Sequence, residues 1–313
     1  MRTIQVLGQD LRVSVRPGLD QAGPPLLLCC GIGAGFEAFQ PFVDALDPAI
    51  EVIRFDVPGV GGSPAGPVPY GYPGNAYLAA QMVRKLGYRQ VDVLGLSWGG
   101  ALAQQLALQH ARLVRRLVLV GTSTGALMFP AHPRVLRHML TPRRFFDKDY
   151  VASIAPILYG GTARTRPEQV HEIIGDPTRV GSATGYLHQL LAGVGWTSLP
   201  WLPLIRQPTL VLAGDDDPIV PSANGRLLAR LIPNAELLIY HGGHLALATE
   251  ADDLAPVVAR FLTAPPANAT TSTTATGPGD FRSGHALVPR RVFLPTAARL
   301  TAARHRRADP AAR

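Results

Sequence analysis

Cysteine is nearly absent from this chain: two of 313 residues, Cys29 and Cys30, which are adjacent. On a strand, neighbouring side chains point to opposite faces, so these two cannot form an ordinary disulfide with each other. A disulfide framework is excluded, and a reducing, cytoplasmic setting is expected. Long apolar runs are missing too; no stretch approaches the roughly 20 residues that span a bilayer. The opening residues, Met1-Arg-Thr-Ile-Gln-Val and Gly8-Gln-Asp-Leu-Arg-Val-Ser-Val, alternate as a hairpin does and lack the unbroken apolar segment of a signal peptide. No transmembrane segment is expected. Charged residues make up only 17%, and residues 264–313, with eight arginines against two aspartates, carry six of the net +8. The pI of about 10.0 is therefore a property of the tail, and nucleic acid is not an expected partner. A G-x-x-x-x-G-K-[ST] phosphate loop does not occur. Gly31-Ile32-Gly33-Ala34-Gly35 falls short of the dinucleotide fingerprint, because Phe36 stands where G-x-G-x-x-G needs its third glycine. No nucleotide cofactor is expected, and no metal.

What is present is a serine in a demanding place. Val91-Asp92-Val93-Leu94 reads as a strand and Ala101 to His110 as a helix, and between them lies Gly95-Leu96-Ser97-Trp98-Gly99. This is G-x-S-x-G in strand–turn–helix context, a nucleophile elbow whose glycines remove the Cβ atoms that would clash on so sharp a turn. A serine hydroxyl is a poor nucleophile unless a base takes its proton, and the base needs an acid to orient it. Both types follow at strand ends. Pro208-Thr-Leu-Val-Leu-Ala213 runs into Gly214-Asp215-Asp216-Asp217-Pro218, and Ala235 to Tyr240 runs into His241-Gly242-Gly243-His244. The order Ser, Asp, His resembles that of α/β-hydrolases. The residues alone leave three aspartates and two histidines to choose from. The loop after the strand Leu117 to Val120, Gly121-Thr-Ser-Thr-Gly125, offers no competing carboxylate. A metal pair of His241 and His244 would lack a third ligand at recognisable spacing and the H-E-x-x-H pattern.

An oxyanion forms when serine attacks a carbonyl, and backbone N–H groups must receive it. Trp98, the residue after the nucleophile, supplies one. The loop Gly31 to Gly35 after the strand Leu26-Leu-Leu-Cys-Cys30 should supply the other, with Ile32 N–H the best candidate.

Strand and helix signals alternate in two regions, which predicts an α/β fold with a mostly parallel central sheet covered by helices. A strand is expected over Ile50 to Val57 and a helix over Asn75 to Leu86, separated by the turn cluster Asp56-Val-Pro-Gly-Val-Gly-Gly-Ser63, read as a tight structural loop. The expected organisation is a core of residues 1–121 and 205–263, a helical cap over 122–204, and a tail over 264–313. The cap segment holds eight of the 21 aromatic residues, among them Phe145, Phe146, Tyr159 and Trp196. The tail begins with the low-complexity Ala264-Pro-Pro-Ala-Asn-Ala-Thr-Thr-Ser-Thr-Thr, and its composition predicts disorder.

Five segments carry a closer resemblance: Phe55 to Ser63, Ser97-Trp-Gly-Gly-Ala-Leu-Ala-Gln104, Ile154-Ala-Pro-Ile-Leu-Tyr-Gly-Gly161, Gly193-Val-Gly-Trp-Thr-Ser198, and Ile205 through Pro221. Over about residues 1 to 263 the chain resembles the intracellular depolymerases of medium-chain-length poly(3-hydroxyalkanoate), bacterial storage polyesters, within the α/β-hydrolase superfamily. Several of these segments lie in the expected cap, which α/β-hydrolases in general do not share. The resemblance implies Ser97 as nucleophile, His244 as general base and then acid, and Asp217 as the orienting acid. Asp217 stands four residues before Pro221 in a D-x-x-x-P arrangement like the superfamily's acid loop, with Asp216 the second choice. His241 is left to cap its strand end. It further implies ester hydrolysis through an acyl-enzyme, with release of 3-hydroxy acids or oligomers, no cofactor, and a polyester substrate at a cytoplasmic storage-granule surface. The chain departs from the family at Cys30-Gly31, where His-Gly is frequent, at His241, where the family tends to carry an acidic residue, and in its basic tail. A small-molecule ester, lactone or C–C bond hydrolase would share the triad and differ in the cap. A non-catalytic binding protein of this fold would normally have lost a triad residue.

Overall fold

A computed structural model describes residues 1–19, 23–141, 143, 147–174 and 181–265. The basic tail from residue 266 onward, and Phe145 and Phe146 of the expected cap, lie outside the described residues. Strands β1 (Arg2–Val6) and β2 (Gln9–Arg16) form the expected antiparallel hairpin. Its two-residue turn, Leu7-Gly8, has φ of 52° and 81°, the pair of left-handed residues that matches the twist of the flanking strands. Then come β3 (Leu26–Cys29), β4 (Val52–Phe55), β5 (Val91–Leu96), β6 (Val114–Val120), β7 (Thr209–Gly214) and β8 (Ala235–Tyr240). They form one eight-stranded sheet in the order β1-β2-β4-β3-β5-β6-β7-β8. The hairpin joins β4 antiparallel through β2, and every pairing from β4 to β8 is parallel.

Strand β3 and the stretches 93–96 of β5, 117–120 of β6 and 210–213 of β7 read as apolar runs because both faces are covered. Leu27, Val93, Leu117 and Val211 pack into one buried cluster with the helices Gly71–Lys85 and Trp98–Gln109. Leu26, Leu28, Leu94, Val118 and Leu212 pack into the other, against Phe42 and Val43 of the helix Gln40–Ala45 and Leu254 and Val258 of the helix Ala251–Thr263. Cys29 falls in the first cluster and Cys30 in the second, so the adjacent thiols do sit on opposite sides of the sheet, both free. The α/β architecture expected from the alternating signals is the one observed. No helix among the described residues is long and apolar enough to cross a membrane.

One helix starts earlier than its sequence suggests. Gly71-Tyr-Pro-Gly74 looks like a turn, yet it forms the first turn of Gly71–Lys85. Pro73 is tolerated there because first-turn N–H groups have no intrahelical acceptor, and the Asn75 side chain donates to Gly71 O at 2.7 Å.

Between β6 and β7 the chain forms the helices Pro133–Met139, Lys148–Leu158, Pro167–Ile174 and Ala183–Gly193. Val135, Val151, Leu158, Val170 and Tyr186 make a separate buried cluster, closed on the core side by Ile219 and Val220. The Asp56–Ser63 turn is the place where the helix Ala183–Gly193 is seated. Gly59 O accepts from Ser182 N at 3.0 Å, and a Cβ on Gly185 would stand 2.0 Å from that same oxygen. Asp56 organises the turn from inside: its carboxylate accepts from Gly62 N at 3.0 Å, Phe36 N at 2.9 Å and Arg12 Nε at 2.5 Å. That loop is structural, as its sequence suggests.

Candidate active site

Ser97 follows the last residue of β5 with φ 55° and ψ −118°, and is one of two non-glycine residues at positive φ among the described residues. Such a conformation costs about 1–3 kcal/mol and persists only where the surroundings enforce it. They do: Ser97 N donates to Val120 O at 2.9 Å, and Thr122 Oγ1 donates to Ser97 O at 2.7 Å. The glycines of the motif each face a crowded atom. A Cβ would meet Gly99 O at 2.2 Å from Gly95, Cys29 O at 2.1 Å from Gly99, and the Thr122 Cβ at 2.4 Å from Gly100. The helix Trp98–Gln109 can therefore begin hard against β3 only with glycine at these positions.

The loop after β7 distributes its three aspartates to three different partners. Asp217 Oδ2 sits 2.7 Å from His244 Nδ1, while Asp217 Oδ1 accepts from Ile219 N and Val220 N, each at 2.9 Å. The Asp217 side chain is fully buried and that of His244 is 6% exposed. A carboxylate with no solvent and two backbone donors has one direction left for its remaining oxygen, toward the ring nitrogen. His244 is held in turn by its own N–H, which donates to Tyr159 O at 2.7 Å. Gly121 at the end of β6 packs over the pair; a Cβ there would lie 3.2 Å from Asp217 Oδ2 and 3.4 Å from His244 Nδ1.

Asp216 turns the other way. Arg164 clasps it with two N–H···O bonds, 2.7 Å from Nε and 2.8 Å from Nη2, and Gly161 N adds a third at 2.7 Å. Asp215 takes His241 Nδ1 at 3.0 Å and Gly242 N at 3.1 Å, with the His241 side chain 96% exposed. The structure thus brings Ser97, Asp217 and His244 to one place and sends Asp216 and His241 elsewhere. Among the described residues no group of three or more His, Cys, Asp or Glu is placed to hold a metal ion.

The bidentate bond from Arg164, ahead of the burial that opposes it, holds the Asp216 carboxyl below its usual range. A depressed folded value means stability that is full above the unfolded value of about 3.9 and lost as pH falls through the lower folded one. Arg164→Met is therefore expected to lower the urea midpoint at pH 6, and the gap from the parent protein should narrow as pH is taken from 4 toward 2. A gap that stays constant over that range would show that the pair is not the source.

The two expected oxyanion donors, the N–H groups of Trp98 and Ile32, both belong to segments that adjoin Ser97. Trp98 opens its helix, so its N–H has no partner one turn back. Ile32 lies in the loop after β3, where Gly31 approaches so closely that a Cβ would stand 3.7 Å from Ser97 Cβ. The next N–H, that of Gly33, is occupied: it donates to Gln189 Oε1 at 2.7 Å.

Ser97 and His244 share the wall of one cavity. The rest of the wall is almost wholly apolar, including Ile32, Phe39, Met139, Ile173, Ile219 and Leu247. Cys30 also lines it, and burial pushes that thiol well above its ordinary pKa, so it stays neutral. Among the described residues Ser97 Oγ makes no hydrogen bond to His244, whose Nδ1 is engaged by Asp217.

Sequence reasoning missed the groups that tie the helices between β6 and β7 to this site: Tyr159, Arg164 and Gln189. The signal nearest to them was Gly160-Gly161 in the Ile154–Gly161 segment. Both have positive φ, and a Cβ on Gly160 would lie 1.9 Å from Asp216 O, one on Gly161 2.2 Å from Gly243 N.

Known proteins of similar sequence and structure bear on the family and the fold. The alpha/beta hydrolase fold family matches residues 24–150 and 178–251. A poly(3-hydroxyalkanoate) depolymerase of Ectopseudomonas oleovorans is 51% identical over 261 residues, 83% of this chain and 92% of that protein. A putative carbamate hydrolase of Serratia proteamaculans is 27% identical, over 79% of this chain and 91% of its own length. Among solved structures, the enol-lactonase of Burkholderia xenovorans superposes with a TM-score of 0.72 at 23% identity, covering 84% of this chain and all of that one, which speaks to the fold. The chain belongs to the α/β-hydrolase family, alongside the poly(3-hydroxyalkanoate) depolymerase with which it shares half of its aligned residues.

Proposed function

We propose that the protein is a serine ester hydrolase that depolymerises medium-chain-length poly(3-hydroxyalkanoate) through Ser97, His244 and Asp217. The observation that carries the chemistry is the buried Asp217–His244 contact of 2.7 Å on the same cavity as a serine at an enforced φ of 55°. Asp217 accepts a hydrogen bond from Nδ1–H, which leaves Nε2 as the base for the cavity. Ser97 Oγ attacks an ester carbonyl of the polymer while Nε2 takes its proton. The oxyanion rests on Ile32 and Trp98 N–H, and the first turn of the helix Trp98–Gln109 adds its dipole. Collapse expels the 3-oxygen of the neighbouring unit, which receives the proton from His244. Water, deprotonated by the same ring, then releases the 3-hydroxy acid or a shorter oligomer. This sequence of steps needs no cofactor.

The substrate class rests on two supports. The 51% identical relative is named for that polymer class, and an apolar wall suits a pendant alkyl chain better than a polar metabolite. The helices between β6 and β7 act as a cap: Met139, Tyr159 and Ile173 contribute to the cavity wall opposite the sheet. Placement at storage granules in the cytoplasm follows from where such a substrate is found.

The purified full-length protein is expected to clear an emulsion of medium-chain polyester and to release 3-hydroxy acids or their oligomers, read by mass spectrometry. Turnover of soluble p-nitrophenyl esters with no acid released from the polymer would move the protein to the small-ester hydrolases.

A further inference from the structure

Gln189 touches both segments that carry the expected oxyanion donors and is not among the residues that line the cavity. Its side-chain Oε1 accepts from Gly33 N at 2.7 Å, one residue past Ile32, and its backbone carbonyl accepts from the indole Nε1 of Trp98 at 2.9 Å. Gly33 has φ of 73°, which glycine adopts freely, so the bond to Gln189 is a contact that fixes the peptide between Ile32 and Gly33. Trp98 is pinned from its other side by Tyr72, ring centroids 4.9 Å apart. Gln189 is 3% exposed, and its Nε2 is buried with no hydrogen-bond partner among the described residues. A buried donor left unpaired is costly and calls for an explanation. A leucine or methionine would remove that cost, but it would strip Gly33 of its acceptor.

We infer that the Gln189 side chain is a positioning group of the cap that aligns one of the two oxyanion donors, Ile32 N–H, through Gly33, on the carbonyl attacked by Ser97. This rests on the ester-hydrolase reading of the site. Gln189→Met keeps length and volume and removes the acceptor. Gln189→Glu keeps an oxygen for Gly33 in either protonation state. Gln189→Ala replaces the methionine variant if that one does not fold.

Each is assayed on p-nitrophenyl octanoate, and each is titrated with an alkyl trifluoromethyl ketone and with the matching secondary alcohol. The ketone adds to Ser97 Oγ and places a negative oxygen in the hole; the alcohol does not. Loss of alignment, as opposed to loss of a donor, is expected to lower kcat by about 10-fold. KM should stay within about twofold, ketone affinity should fall in step with kcat, and alcohol affinity should hold. Gln189→Glu is expected near the parent on all four. A methionine variant with parental kcat overturns the inference. So does a glutamate variant no better than methionine, or an alcohol weakened as much as the ketone. Failure of the parent protein to turn over the ester overturns the underlying reading instead, and is seen before any variant is compared.

Discussion

Ser97→Ala is expected to cut kcat on esters and on polymer by about 10⁶-fold while the chain still folds, since the nucleophile of a triad cannot be replaced by its partners. The variant is informative because alanine keeps the Cβ and therefore the same backbone strain at φ 55°. Ser97→Gly removes both hydroxyl and Cβ. It should be equally inactive, yet more stable than Ser97→Ala by about 1 kcal/mol, the released strain exceeding glycine's extra freedom in the unfolded chain. Thermal or urea unfolding of the two variants checks the second half, and single-turnover release of p-nitrophenol checks the first. Residual turnover within about 100-fold of the parent would remove Ser97 from the nucleophile's role.

The second large effect separates neighbouring aspartates. Asp217→Asn preserves an oxygen for Ile219 N and Val220 N, so the loop should keep its shape. The new amide nitrogen would then face His244 Nδ1 and donate to it, driving the ring proton to Nε2, where a base is needed. A loss of about 10⁴-fold in kcat follows, with KM nearly unchanged. Asp216→Asn is expected to stay within about threefold of the parent in kcat, because its partners are Arg164 and Gly161 and it reaches no reacting atom. It should instead unfold at lower temperature. Equal losses in the two variants, or a larger one at Asp216, would reassign the acid.

Those two residues also mark where reading the sequence stops. The elbow, the two later strand ends and the oxyanion loop are legible because each is a local event: an apolar run, a turn whose glycines have a steric reason, and a reactive side chain at the boundary. The parallel sheet is legible for the same cause, alternation of signals along the chain. Which aspartate faces His244 is a question about partners 27 residues apart, and composition of a three-aspartate loop cannot answer it. Likeness to the acid loop of a known family singled out Asp217, and the structure supplies the physical reason, two backbone donors that aim the carboxylate. Gln189 was illegible because its two partners lie 156 and 91 residues away, and a glutamine on a helix has no pattern of its own. Gly71-Tyr-Pro-Gly74 misled in the opposite direction, since local breakers happen to sit in the one helical turn that tolerates them.

The nearly wholly apolar wall beside Ser97 sets how this protein can tell one acyl group from another. With no fixed polar contact along its length, each further methylene contributes about 0.8 kcal/mol, a factor of about four, until the chain reaches the far wall. Preference would then climb by equal steps with carbon number and stop abruptly, the behaviour of a ruler and not of a lock. Its markings would be apolar side chains of that wall such as Met139 and Ile173, so the graduation could be moved without touching Ser97 or His244.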